Sequence, residues 1–169
     1  AGSEEAFRHW DAEGEVPATC ATCHSGEGLP FLLENGVQIA HAPTDGLDCS
    51  TCHSDAVTYA TYKVETVPFP SGQRLALDDL DSNLCLSCHQ GRESTVSVNR
   101  VIRDTEDDEV SEALRFLNPH YFASGATLFG TEAQGAYEYE GETYFGRNEH
   151  VRRLDTCTKC HNSHALEGE

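Results

Sequence analysis

Apolar residues along this 169-residue chain fall in short bursts between polar and glycine-bearing stretches, so regular structure is expected to be sparse. The longest apolar run, Leu29-Pro30-Phe31-Leu32-Leu33, is far too short to cross a bilayer. That run predicts a short helix over Pro30–Glu34, ending near Asn35-Gly36, where glycine can take the left-handed closing conformation. Tyr62–Val67, then Pro68-Phe69-Pro70-Ser71-Gly72, then Arg74–Leu77 reads as a β-hairpin with a wide turn.

Further along, Asp107–Leu117 carries Val110, Ala113, Leu114 and Leu117 at helical spacing, with acids at its start that suit the macrodipole. Asn118-Pro119 then reads as an N-cap and first helical proline, opening a second helix that bears His120. Tyr137–Phe145 alternates aromatic and acidic residues about Gly141, which predicts a small hairpin at an edge, its acids discouraging chance pairing.

Composition narrows the class. Only 38% of residues are hydrophobic, and length allows one domain or two small ones; a single domain over 1–169 is expected. The chain's own side chains would make a thin core. Acidic residues outnumber basic ones 29 to 11, a net charge of −18. A phosphate backbone would be repelled, which excludes nucleic acid as a natural partner and disfavours an anionic membrane surface. Cationic patches, metal ions or mineral surfaces, or further copies of the chain remain.

All eight cysteines fall in one pattern, repeated four times: Cys20-Ala-Thr-Cys23-His24, Cys49-Ser-Thr-Cys52-His53, Cys85-Leu-Ser-Cys88-His89 and Cys157-Thr-Lys-Cys160-His161. Cys-x-x-Cys-His is the attachment pattern of c-type haem, in which two thiols bond to the macrocycle and the adjacent imidazole reaches its iron. Two structural zinc sites, or four disulfides, would use the same cysteines but need no histidine. With 9 histidines in the chain, chance would place one after all four pairs with a probability on the order of 10⁻⁵. Four covalent haems are therefore expected, and their flat apolar faces would supply the core that the side chains lack. Without them the chain should be unfolded or nearly so. Haem attachment takes place outside the cytoplasm, and a start at Ala1-Gly2-Ser3 fits signal-peptide removal; an extracellular or periplasmic location is expected.

The first cysteines of successive motifs lie 29, 36 and 72 residues apart. The last interval holds His120 and His150 but no motif, and is expected to fold back over haems attached elsewhere. Each iron needs a second axial ligand. Methionine is absent, and the only lysines are Lys63 and Lys159, so the supply is His9, His41, His120, His150 and His164. That is five histidines for four positions. His164 follows its own motif as Cys-x-x-Cys-His-x-x-His, too close to cap the haem held by Cys157 and Cys160, so it should reach a different haem. A catalytic multihaem reductase module would need an open iron site; with histidines enough for every iron, no enzymatic role and no catalytic residue is expected.

The blocks AFRHWDAEGEVPATCATCHS, CLSCHQGRESTVSVNRVI, NPHYFASGATLFGTEAQGAYEYEGETYFG and CTKCHNSHALEG, in this order and covering about half the chain, resemble the tetrahaem cytochromes of the OmcE-like extracellular filament family. The resemblance implies irregular coil with short helices and one or two small β-hairpins wrapped around a haem chain. It implies His9, His120, His150 and His164 as distal ligands, with His41 a spare or supporting group. It also implies a homopolymer in which one axial histidine is donated between subunits. His9 and His164 lie at the chain ends, freest to reach a neighbour, and His164 sits beside the fourth motif, so His164 ahead of His9 is expected as the donor. The function this implies is electron conduction by a filament; a monomeric periplasmic shuttle is the alternative.

Overall fold

The computed structural model describes residues 5–106, 108–151, 155–165 and 167–168. Among the described residues, seven short α-helices occur: α1 Glu5–Arg8, α2 Ala18–His24, α3 Gly28–Asn35, α4 Cys49–Cys52, α5 Leu80–His89, α6 Thr95–Ile102 and α7 Ser124–Phe129. Single 3₁₀ turns lie at Gly130–Glu132 and Cys157–Lys159. Two antiparallel strand pairs complete the inventory, β1 Val67–Pro68 with β2 Arg74–Leu75, and β3 His161–Asn162 with β4 Glu167–Gly168. The remainder is coil and turn, matching the sparse regular structure expected from the sequence. Residues 1–3, on which the processing expectation rests, lie outside the described residues.

Chain contacts cluster into two units. The first comprises Ala1–Val64, Asp79–Cys88 and Thr156–Glu169. Its buried apolar side chains include Val16, Ala21, Leu29, Val64, Leu84 and Leu86. Helix α3 starts two residues earlier than the sequence suggests and closes as predicted: Gly36 takes φ 72°, ψ 8°, and its N–H bonds Leu32 O. Gly28 lets α3 lie directly on α2, because a Cβ there would collide with the carbonyl of Ala21. Since α2 carries Cys20, Cys23 and His24, Gly28→Ala is expected to push the first motif out of place and cost about 1–3 kcal/mol by overpacking. Denaturant unfolding of the variant against the parent chain checks this.

The second unit comprises Glu65–Asp78 and His89–Asp155. The predicted hairpin forms in miniature, with Val67 opposite Leu75, Pro68 opposite Arg74, and Gly72 at φ 90° in the turn. Its Phe69 meets Phe129 edge-on at 5.3 Å, and the Arg147 guanidinium covers the Phe129 ring at 4.5 Å. Phe129, Val67, Ala126 and Ala133 are buried beside them.

Three sequence expectations fail in this unit. No helix forms over the described part of Asp107–Leu117; Asp107 itself lies outside the described residues. The helix lies earlier, as α6, where Ser94 and Ser97 form a reciprocal capping box. The acids at 104–109 lack such a cap and repel one another, and Val110 is left 97% exposed. The Asn118-Pro119 helix is also absent. The Asn118 side chain accepts from His120 N at 2.9 Å, and His120 sits at φ 77°, which breaks a right-handed helix before α7 begins at Ser124. Finally, Tyr137–Phe145 turns at Gly141 (φ 83°) but forms no strand ladder, because the Tyr139 N–H is taken by the Tyr144 hydroxyl.

Candidate functional site

In three of the four motifs the cysteines ride on helices, where residues three apart share a face. Cys20 and Cys23 lie on α2, Cys49 and Cys52 on α4, and Cys85 and Cys88 on α5. Cys157 opens a 3₁₀ turn instead, and His161 of the fourth motif sits on β3. No disulfide joins any of the eight, all of which lie among the described residues. Among the described residues no group of three or more His, Cys, Asp and Glu gathers as a metal cluster, so the pairs do not combine into tetrahedral sites.

The motif imidazoles are oriented in a common way. His24 Nδ1 bonds Ala6 O, His53 Nδ1 bonds Tyr59 O, and His89 Nδ1 bonds Phe122 O, each at 2.7 Å. A carbonyl only accepts, so Nδ1 carries the proton in all three rings and Nε2 keeps its lone pair. This is the tautomer a metal-ligating histidine needs, with its ring fixed from behind. The residues therefore fit a haem iron at Nε2 and thioether bonds at the paired thiols.

Local sequence builds each carbonyl into place. Helix α1 brings Ala6 to His24, with Phe7 and Trp10 ringed against the imidazole at 6.2 and 5.3 Å. Behind His53, Asp55 caps the turn by accepting from Val57 N and Thr58 N, and Tyr59 takes φ 57°. The chain then returns as Tyr62 N bonds Cys52 O. Phe122 presents its carbonyl to His89 at φ 54°. Tyr59 and Phe122 are both non-glycine residues in the left-handed region, a strain of the kind retained at functional sites. Nothing in the residue types at these positions points to such carbonyls.

Two pairs of motifs lie side by side in the first unit. The thiols of Cys23 and Cys88 share a hydrogen bond, with Cys88 Sγ also reaching Thr22 O at 3.8 Å. Cys85 likewise bonds Cys157, and Cys157 N donates to the buried Ser82 hydroxyl at 3.0 Å. These sulfur contacts, with burial, push the Cys85 and Cys88 thiols well up; burial, with Asp48 and Cys49 nearby, raises Cys52. All three stay neutral thiols.

Helix α4 is held by Asp48, which accepts from Thr51 N at 3.1 Å and Ser50 Oγ at 2.6 Å. The Ser50 hydroxyl foremost, then the Thr51 N–H, keeps its carboxyl below the usual 3.8. A folded value below the unfolded one means the cap is fully present above the unfolded pKa and is lost as pH falls through the folded one. Asp48→Ala is expected to cost about 1 kcal/mol near pH 6, with the gap closing below about pH 4. Denaturant melts of both chains at the two pH values test this.

The distal candidates are placed unequally. His164 stands opposite His53, ring centres 6.3 Å apart and planes within 13°. His41 is nine-tenths buried in the first unit, and His9 is exposed against Trp10 at 4.6 Å. His120 is half-buried and His150 exposed in the second unit. The loop that bears His120 does fold back on the third motif, Arg92 N bonding Pro119 O and His89 bonding Phe122 O.

No protein-family model matches the chain. No solved structure matches it either. Among curated proteins it is 26% identical over 179 aligned residues to the C-type polyheme cytochrome OmcB of Geobacter sulfurreducens, in strains PCA and DL-1/KN400, covering 82% of this chain and 22% of the relative. It is 38% identical over 125 residues to the C-type polyheme cytochrome OmcC of strain PCA, covering 74% of this chain and 13% of the relative. The chain thus spans less than a quarter of the length of the curated relatives it matches.

Proposed function

We propose, from the premise that similarity to polyhaem c-type cytochromes supports placing this chain among the multihaem cytochromes, that it carries four covalent bis-histidine haems and conducts electrons outside the cytoplasm. The observation that carries this reading is the His53–His164 pair: two near-parallel rings with centres 6.3 Å apart, one of them fixed at Nδ1 by Tyr59 O. Haem supplies one-electron chemistry when bound. The chain's part is to hold it. Paired thiols on α2, α4 and α5 anchor the macrocycles, and Ala6, Tyr59 and Phe122 carbonyls orient the proximal imidazoles. His120, His150 and His164 serve as distal ligands, with the fourth position open to His9 or His41. The first motif lies beside the third, and the third beside the fourth, which supports closely spaced haems.

Many large apolar side chains face outward, among them Val57, Phe116, Tyr121, Phe122 and Phe145. Four macrocycles would cover such surface, in line with the thin core. No helix among the described residues is long and apolar enough to cross a membrane.

The resemblance to OmcE-like cytochromes supports the finer reading, a head-to-tail filament, since a heterologous interface that does not close generates a polymer. His164 facing His53 of its own chain favours ligation within the subunit over donation by His164 to a neighbour. Negative-stain imaging of native secreted material tests assembly: fibres support the filament, and uniform particles of single-chain size support a periplasmic shuttle. A redox titration tests conduction, with uptake of four electrons per chain expected and no reducible haem contradicting it.

A further inference from the structure

We infer that His41, through Nε2, is the sixth ligand of a haem iron held by the first unit, at a position the resemblance gives to His9. This rests on the multihaem reading. The residue is fixed before any ligand arrives: its backbone pairs with Val16 in both directions, at 2.7 and 3.1 Å. Ser25 Oγ to Ala42 O at 3.1 Å and Gly26 N to Thr44 Oγ1 at 2.9 Å then tie the following residues to the turn after the first motif. The side chain is only 10% exposed, and Phe31 meets its ring edge-on at 5.3 Å.

The two ring nitrogens are treated differently. Nδ1 lies 3.6 Å from Glu27 Oε2, beyond hydrogen-bond reach but near enough for the carboxylate's charge to favour a proton on that side. Nε2 is buried without a hydrogen-bond partner. Buried polar atoms are ordinarily satisfied, and a bare lone pair inside a protein asks for a Lewis acid. His24, His53 and His89 likewise commit Nδ1 to an acceptor oxygen, and Glu27 stands on that side of the His41 ring at longer range. His9 lacks these features: it is exposed and rests on Trp10. Since His164 faces the iron of His53, His41 serves another iron. Together with His120, His150 and His164 it completes four distal positions within one chain, so subunits would associate without a donated ligand.

The test uses the full chain with its haems attached. His41→Ala should turn one haem of four five-coordinate and high-spin, bind one carbon monoxide per chain, and recover its low-spin spectrum when imidazole is added. His41→Met should instead show the weak far-red band of methionine-ligated iron and a raised potential at one haem. Four unchanged low-spin haems in His41→Ala would overturn the inference, as would loss of a sixth ligand in dilute His9→Ala monomers. Should His41→Ala fail to mature, the methionine variant decides, and absence of its far-red band counts against His41. Covalent haem count in the parent chain is read separately: fewer than four would sink the multihaem reading itself, whereas four with an unaltered His41→Ala spectrum would sink only this assignment.

Discussion

Replacing His164 by alanine is expected to strip the sixth ligand from the haem anchored at Cys49 and Cys52, and from no other. His53 is held at Nδ1 by Tyr59 O, so the proximal bond should survive. The ring opposite it, 6.3 Å away and tilted by 13°, is the one removed. One haem in four should become high-spin, and reduced protein should bind one carbon monoxide per chain where the parent binds slowly or not at all. That haem's potential should move within the roughly 0.8 V span that axial ligation controls. Covalent haem count should not change. A variant that keeps four low-spin haems, or loses the ligand at another motif, would refute the pairing.

The chain made without haem attachment, with all eight cysteines changed to alanine, is expected to lose cooperative folding altogether. The buried apolar side chains are few and several are small, Ala21, Ala126 and Ala133 among them. Ordering the backbone costs about 1–2 kcal/mol per residue, which so thin a core cannot offset. A net charge of −18 adds self-repulsion. Far-UV circular dichroism should resemble coil, and hydrogen exchange should show no protected amides. A sharp unfolding transition in that variant would mean the side chains alone specify the fold.

The four Cys-x-x-Cys-His motifs were legible because their residues are adjacent in sequence, whatever local structure carries them. The hairpin and the Gly36 closure were legible for the same reason, since turns and caps are local. What escaped was non-local or depended on backbone strain. The carbonyls of Tyr59 and Phe122 reach their imidazoles only because both residues adopt positive φ, which their side chains would not suggest. Val110 and Leu114 have helical spacing but no partner surface among the described residues that buries them, so periodicity misled there. His41 looked surplus in a one-dimensional count; its burial against Phe31 and Glu27 is visible only in three dimensions. That His164 lies beside His53 of the second motif is likewise a contact between distant parts of the chain, visible only in three dimensions.

The most direct test of the central claim is the intact mass of the chain, secreted from a host competent for haem attachment and measured under denaturing conditions. The account predicts the polypeptide mass plus four haems, retained after unfolding because each is bound through two thioethers. A mass equal to the bare polypeptide, or lower by the eight hydrogens of four disulfides, would contradict it.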